Sequence, residues 1–287
     1  CQDTLVRSMN TVCRLFPPPF ETVPVKGLYL QQRLYEQGTP GHPFVYANFL
    51  ASLDGRIALE DCVTGETYLP ESLTTPNDFR LFLELEAQAD CLITHGGYLR
   101  ALADGRLGNI LQIGCQPEHR DLAQWRLDHG LAPQPAVVIA SASLDFPMPA
   151  SLKANGQSVY IATGKDADPA RMANWQSQGY EILIVGDGNL VEGGALVRAL
   201  GGKGCRSTYL IAGPHMLDTI VREGQLRRLY QTITHQIMGG EVFRTMLPGP
   251  VLGPVGHLKM RSLYYDASSH GEAGQWFAQF ENIRAYP

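Results

Sequence analysis

The stretch Phe44-Val45-Tyr46-Ala47-Asn48-Phe49-Leu50-Ala51-Ser52-Leu53-Asp54-Gly55-Arg56 decides how this 287-residue chain is read. Its first nine positions are mostly apolar or aromatic and contain neither Gly nor Pro. The run then breaks at Asp54-Gly55, which is the pattern of a buried strand closed by a turn. A period of two puts Asn48 and Ser52 on one face, with Asp54 next along the same parity, so polar groups collect toward the C-terminal end. In an open α/β sheet that end is where ligands bind. The alternative is that Asn48 and Ser52 bond to neighbouring backbone and Asp54-Gly55 is a turn alone.

Outward from that strand, short apolar runs at 91–94, 136–140, 158–163, 181–185 and 208–212 alternate with helical segments. This alternation predicts an α/β sheet with helices on its faces. Between the first two strands, Thr74-Thr75-Pro76-Asn77-Asp78 supplies a capping hydroxyl, a proline for the first helical position and an acid in the first turn. Phe79, Phe82 and Leu83 follow at helical spacing. Asp168-Pro169 opens a second helix that passes Met172 and Trp175 and stops at Gly179. In the last quarter, 229–238, 257–265 and 275–283 alternate without a helix between them and are expected as antiparallel strands on one side of a mixed sheet. Residues 1–43, rich in Pro and Gly, read as an N-terminal extension, and 44–287 as one domain.

The chain is 44% hydrophobic and 18% charged with 30 Gly and 19 Pro, which suits a globular protein with many turns and excludes a disordered or collagen-like one. A formal charge of -5 and the lack of any basic run argue against a nucleic-acid partner. The longest apolar runs are strand-sized, far below the ~20 residues that span a bilayer, so no membrane partner is expected. The N-terminal residues carry no apolar signal core, and a cytoplasmic setting is expected. Six cysteines at 1, 13, 62, 91, 115 and 205 form no C-x-x-C pair and read as reduced thiols, although Cys1 and Cys13 can pair in a purified sample. His95, His119, His215 and His235 lack metal-ligand spacing, so no metal is predicted. Neither a G-x-S-x-G elbow nor a G-x-x-x-x-G-K-[ST] loop is present.

Two strand-to-helix junctions read as anion cradles. Cys91-Leu92-Ile93-Thr94 runs into His95-Gly96-Gly97 and a helix beginning near Tyr98. Tyr209-Leu210-Ile211-Ala212 runs into Gly213-Pro214 and a helix from His215. In each, the first N–H groups of the helix point at whatever sits above the turn, and two such sites suit the phosphates of a dinucleotide. A steric reason for the glycines is the alternative. Thr163-Gly164-Lys165 ends another strand with a hydroxyl and a cation able to meet a ribose 2′-phosphate. Glu192-Gly193-Gly194 reads as a helix start without a cofactor role.

At Ala51-Ser52-Leu53-Asp54-Gly55-Arg56-Ile57-Ala58 the chain resembles the reductase domain of riboflavin biosynthesis, a dihydrofolate-reductase-like fold. The similarity continues through the capped helix, 89–93, the Gly-Gly turn, 137–141 with Leu144 and Pro147, the Ala162-Thr163 strand end, 210–217 and 222–240. No deaminase domain is expected, since residues 1–43 lack its H-x-E and P-C-x-x-C motifs. The resemblance implies a stand-alone, homodimeric reductase with a mixed, mostly parallel sheet and antiparallel C-terminal strands. It implies NADPH as cofactor and hydride delivery to the ribosyl C1′ of a phosphoribosylamino-pyrimidine.

Residue by residue, it gives Asp54 the catalytic role, holding ribityl hydroxyls or assisting proton transfer. Substrate contacts go to Asn48, Ser52 and Arg56. Cofactor contacts go to Gly96, Gly97, Tyr98, Thr163, Lys165, Gly213, Pro214 and His215. The chain departs from the family pattern in two places. Ala212-Gly213-Pro214 stands where E-G-G is usual, and Asp104-Gly105-Arg106 where D-[DN]-P is usual. The alternatives are therefore a reductase of a related pterin or specialised heterocycle, or a catalytically silent ligand-binding paralogue.

Overall fold

The computed structural model describes residues 10–61, 65, 67–211, 213–269, 271 and 273–283. In chain order, a hairpin of β1 (Thr11–Phe16) and β2 (Glu21–Pro24) precedes β3 (Phe44–Ser52). The short strands β4 (Ala58–Glu60) and β5 (Thr67–Tyr68) follow, then α1 (Pro76–Glu86), β6 (Cys91–His95), α2 (Gly96–Ala103), α3 (Arg120–Asp128) and β7 (Ala136–Ala140). Next come α4 (Ala150–Ala154), β8 (Val159–Thr163), α5 (Pro169–Ser177), β9 (Glu181–Ile184), α6 (Gly193–Gly202), β10 (Ser207–Leu210) and α7 (Pro214–Arg222). The chain closes with β11 (Leu226–Thr234), β12 (Phe243–Arg244), β13 (Leu258–Asp266) and β14 (Gln275–Asn282).

Eleven of these strands make one sheet in the order β2-β1-β13-β14-β11-β3-β10-β6-β7-β8-β9. From β11 to β9 every neighbour is parallel, and from β2 to β11 every neighbour is antiparallel. β11 therefore differs from the expectation on one side only. α7 carries the chain back over the sheet between β10 and β11, which makes β11 parallel to β3, while the connections after it return the chain antiparallel. A small second sheet, β12-β4-β5, is built from chain that follows β3 and β11.

Both faces of the sheet are covered, as its parallel half requires. On one face Tyr46, Leu92, Ile139, Tyr209 and Tyr230 pack with Leu81 and Leu85 of α1. On the other, Val45, Ala47, Ile93 and Val138 pack with Leu196 and Leu200 of α6 and Leu217 and Ile220 of α7. α6 approaches α7 so closely that a Cβ on Gly193 would lie 2.8 Å from the Ile220 backbone, which is why glycine stands there.

The expected caps are in place. Thr75 Oγ1 accepts from Asp78 N at 3.1 Å, and Asp168 Oδ1 accepts from Ala170 N at 2.9 Å. The segment before Phe44, expected as an extension, adds β1 and β2 to the sheet edge and puts Val12, Val25, Leu28 and Leu34 into the core. Cys1, Cys62 and Ala212 lie outside the described residues; Cys13, Cys91, Cys115 and Cys205 are free thiols. No helix among the described residues is long and apolar enough to cross a membrane.

Candidate active site

Parallel strands end together, so the turns after β3, β6, β8 and β10 share one edge of the sheet. The turn after β3 is built around Asp54. Its carboxylate accepts from Ser52 Oγ at 2.5 Å, Arg56 Nη1 at 2.5 Å, Gly239 N at 3.0 Å and Met238 N at 3.2 Å. Ser52, 1% exposed, in turn accepts from Arg56 N at 3.0 Å. The Ser52 hydroxyl, the two backbone N–H groups and Arg56 hold the Asp54 carboxyl well below the usual carboxylate range. A carboxylate so firmly ionised and so fully engaged is suited to orienting neighbours. The resemblance implies for it the holding of ribityl hydroxyls or help in proton transfer, and so firm an ionisation weighs against the second of these at neutral pH. Arg56 is likewise committed, to Asp54 and to the Phe243 ring, 4.2 Å from its centroid. Asn48 lies further down β3, half-buried, where its amide acts on the buried Tyr209 hydroxyl.

The two helix starts meet through His95. Its Nδ1 accepts from Tyr98 N at 3.3 Å as the cap of α2. Its Nε2 faces the start of α7, lying 3.5 Å from where a Cβ on Gly213 would be. Burial, with Arg100 and His215 nearby, pushes the His95 imidazole down to about 4, so it is neutral at physiological pH. A neutral ring that accepts at Nδ1 carries its proton on Nε2, toward the second turn. Gly96 packs against Phe146 and Ser141, and a Cβ on Gly97 would lie 2.9 Å from the His95 ring. Tyr98 is less available than expected. Its N–H is taken by His95, and its hydroxyl donates to Gly108 O at 2.9 Å and accepts from Ile110 N at 3.0 Å.

Pro214 occupies the first turn of α7, fixing φ where its missing N–H costs nothing, and Gly213 is the preceding cap residue. The starts of α2 and α7 thus both lie against the His95 ring. Thr163 is fully buried and its hydroxyl has no partner among the described residues, so Lys165 is the exposed group of that turn. Lys165 pairs with Asp187 at 3.5 Å, both side chains being largely solvated. The Glu192-Gly193-Gly194 start is already filled: Gly193 N donates to Glu223 Oε1 at 3.1 Å and Gly194 N to Glu223 Oε2 at 2.7 Å.

Sequence reasoning read Asp78 only as a first-turn acid of α1. The structure buries it, 6% exposed, beside Thr232 of β11, and burial pushes its carboxyl up to about 6. Its Oδ1 has no hydrogen-bond partner among the described residues. Thr232 is paired with Leu50, between Asn48 and Ser52, so Asp78 lies over the same face of β3 as those two residues. The signal was present in the helical period: Asp78 precedes the buried Leu81 and Leu85 by three and seven positions, placing a carboxyl on an apolar stripe. Beside it, Asn77 Nδ2 donates to Asp266 Oδ2 at 2.8 Å and Gln275 Nε2 to Thr75 Oγ1 at 2.8 Å, so the start of α1 is bolted to β13 and β14 by buried polar groups.

A pyrimidine reductase-like protein from Corynebacterium diphtheriae superposes with a TM-score of 0.62 at 16% identity, covering 84% of this chain and 92% of that one. The Saccharomyces cerevisiae riboflavin biosynthesis reductase Rib7 gives a TM-score of 0.56 at 14% identity, covering 89% and 98%. Acinetobacter baumannii RibD gives 0.56 at 16% identity and covers 85% of this chain, which spans only 59% of that longer protein. At these identities the likeness is one of fold. No curated protein sequence matches the chain. The model of the RibD C-terminal domain matches residues 43–264, and with that extent of match the chain belongs to the RibD C-terminal domain family.

Proposed function

We propose that this protein is an NADPH-dependent reductase of a phosphoribosylamino-pyrimidine, acting in or near riboflavin biosynthesis and delivering hydride to the ribosyl C1′. Membership of the RibD C-terminal domain family supports a reductase acting on a small molecule. The observation that carries the finer reading is the meeting of two helix starts at His95, on the edge where the turn after β3 also lies.

The residues present suit a dinucleotide. The cradle at Gly97 is one that a Cβ would crowd, and the backbone amides at the starts of α2 and α7 are the donors a pyrophosphate takes. In this reading Gly96, Gly97, Gly213, Pro214 and His215 hold the phosphates, Tyr98 fixes the first turn through its side chain, and Thr163 and Lys165 mark the adenosine side, Lys165 meeting a 2′-phosphate. The reduced nicotinamide, when bound, supplies the hydride. Asn48 and Ser52 line the substrate wall. Asp54 and Arg56 brace it, because the same carboxylate ties the β3 turn to Met238 and Gly239. Asp78 is the group on this face able to hold a proton near pH 6, and opening the ribosyl ring needs a proton at the ring oxygen as well as a hydride at carbon. A homodimer in the cytoplasm completes the reading.

The test is a titration of the protein with NADPH followed by nucleotide fluorescence, then addition of the phosphoribosylamino-pyrimidine with absorbance of the reduced cofactor monitored. Saturable binding and consumption of one cofactor per substrate are expected. Binding without consumption points to a related heterocycle or a silent paralogue, and absence of binding overturns the reading.

A further inference from the structure

A second cleft lies on the antiparallel side of the sheet, between β1, β13, β14 and the start of β11, roofed by the segment around Gln32 and Gln37. Its volume is about 400 Å³. Arg14, Arg228 and Arg261 enter it from three different strands, and Glu281 is the carboxylate in its wall.

The charges do not balance. Arg14 is matched by Glu21 at 2.9 Å. Glu281 is claimed by Arg261 at 2.7 Å, by Arg228 at 3.9 Å and electrostatically by Arg227. Arg228 is the group left short. Its side chain is 7% exposed, and Glu281 stands beyond hydrogen-bond reach. Its Nε has no partner among the described residues. Besides that distant ion pair it has Gln32 Oε1 at 3.2 Å, the Tyr230 hydroxyl and the Phe44 ring at 5.2 Å, none of which carries a formal charge. A buried guanidinium is tolerated when an anion and further hydrogen bonds compensate it, so the site is incomplete as the chain alone makes it.

We propose that this cleft binds a small phosphorylated metabolite through its phosphate group. Guanidinium groups arriving from three strands suit a tetrahedral anion, which presents oxygens in several directions, better than a planar carboxylate, whose two oxygens share one plane. Pro17 and Tyr264 give the remainder of such a molecule an apolar wall. The orientation of the donors is already set. Gln32 accepts from Arg228 Nη1 and, at 2.5 Å, from Tyr230 Oη, while its own Nε2 donates to Gln279 Oε1 at 3.0 Å.

The cleft is separate from the candidate active site. Arg228 is paired with Tyr46, six residues before Ser52 on β3, which is ~20 Å at ~3.3 Å per residue. The two are nonetheless on one strand pair, since Tyr230, held by Gln32, is paired with Asn48. A phosphate in the cleft thus bears on the strand that carries the substrate wall.

The test is hydrogen–deuterium exchange and thermal unfolding of the full chain with inorganic phosphate, ribose 5-phosphate or ribose, against sodium chloride at equal ionic strength. Ribose 5-phosphate is expected to protect peptides covering 228–232, 258–264 and 275–282, with ribose inert. Phosphate acting as strongly as ribose 5-phosphate identifies the free ion as the ligand, still through this group. Arg261→Gln and Arg14→Gln alter partly exposed side chains, and each is expected to weaken that protection at least tenfold while NADPH affinity stays within twofold. Unchanged protection in both variants, or protection confined to the turns at 52–56, 95–98 and 213–215, overturns the proposal. Protection of the same strands that grows with protein concentration and needs no phosphate also overturns it, the cleft then being an interface between copies.

Discussion

Two carboxylates at one edge of the sheet are driven in opposite directions. Asp54, on an accessible turn, is surrounded by a hydroxyl, two backbone N–H groups and a guanidinium, and is held ionised far into acid. Asp78, one helix later, is buried with a threonine hydroxyl as its neighbour and titrates at about 6. Exposure alone would suggest the former as the working acid and the latter as an inert packing residue. Hydrogen bonds to the charged form outweigh exposure in one case, and desolvation outweighs a single hydrogen bond in the other. The pair teaches that a carboxyl's part in a site is set by its donors and its solvent, not by its place in a motif.

The largest effect is expected at Asp54. Asp54→Asn cannot accept from all four donors, so the turn and the 238–239 backbone part, and turnover should fall about a hundredfold, the scale of misplacing a reacting group by an ångström. NADPH affinity should stay within threefold; equal loss of both would make the residue purely structural. Asp78→Asn is expected next, with turnover down about tenfold and the limb of the pH–rate profile near 6 abolished.

The same variant separates function from stability. The folded chain holds the Asp78 proton more tightly than the unfolded one. Its contribution is therefore whole below the ordinary carboxylate range and is lost as pH rises through about 6. Asp78→Asn should accordingly stabilise the protein by about 2 kcal/mol at pH 8 and change little at pH 4, in denaturant titrations at the two pH values. A destabilised variant at pH 8 would show that the ionised carboxylate is compensated after all.

His95 runs the other way. Its depressed imidazole contributes stability above its ordinary range, and that contribution is lost as pH falls toward about 4. His95→Ala uncaps α2 and separates the two turns, so about 1 kcal/mol of stability should go, with NADPH affinity down about tenfold by fluorescence titration. The smallest effect is expected at Lys165, whose pairing with Asp187 is solvated. Lys165→Met should lower the preference for NADPH over NADH about threefold, the scale of an exposed ion pair.

Much of the fold was legible because its signals are local. The apolar run at Phe44–Ser52 and the Thr75 and Asp168 caps follow from neighbouring residues and form where the pattern put them, and the alternating C-terminal segments form strands, with β11 displaced to Leu226–Thr234 from the 229–238 expected. The candidate site was legible as a set of turns. The contacts within the turns were not, because the partners are distant in sequence: Met238 and Gly239 for Asp54, Thr232 for Asp78, Gly213 for His95. The tightness of Arg56 on Phe243 and the filling of Gly193-Gly194 by Glu223 are of the same kind.

By itself the sequence determined most strands of the main sheet, the capped starts of α1 and α5, and which face of β3 carries polar groups. Only the tertiary structure decided which of those groups are charged, which are reachable and which are already spent on one another. The reason is physical. Propensity, capping and periodicity act over a few residues, whereas burial and hydrogen bonding at a site depend on whatever chain the fold brings alongside.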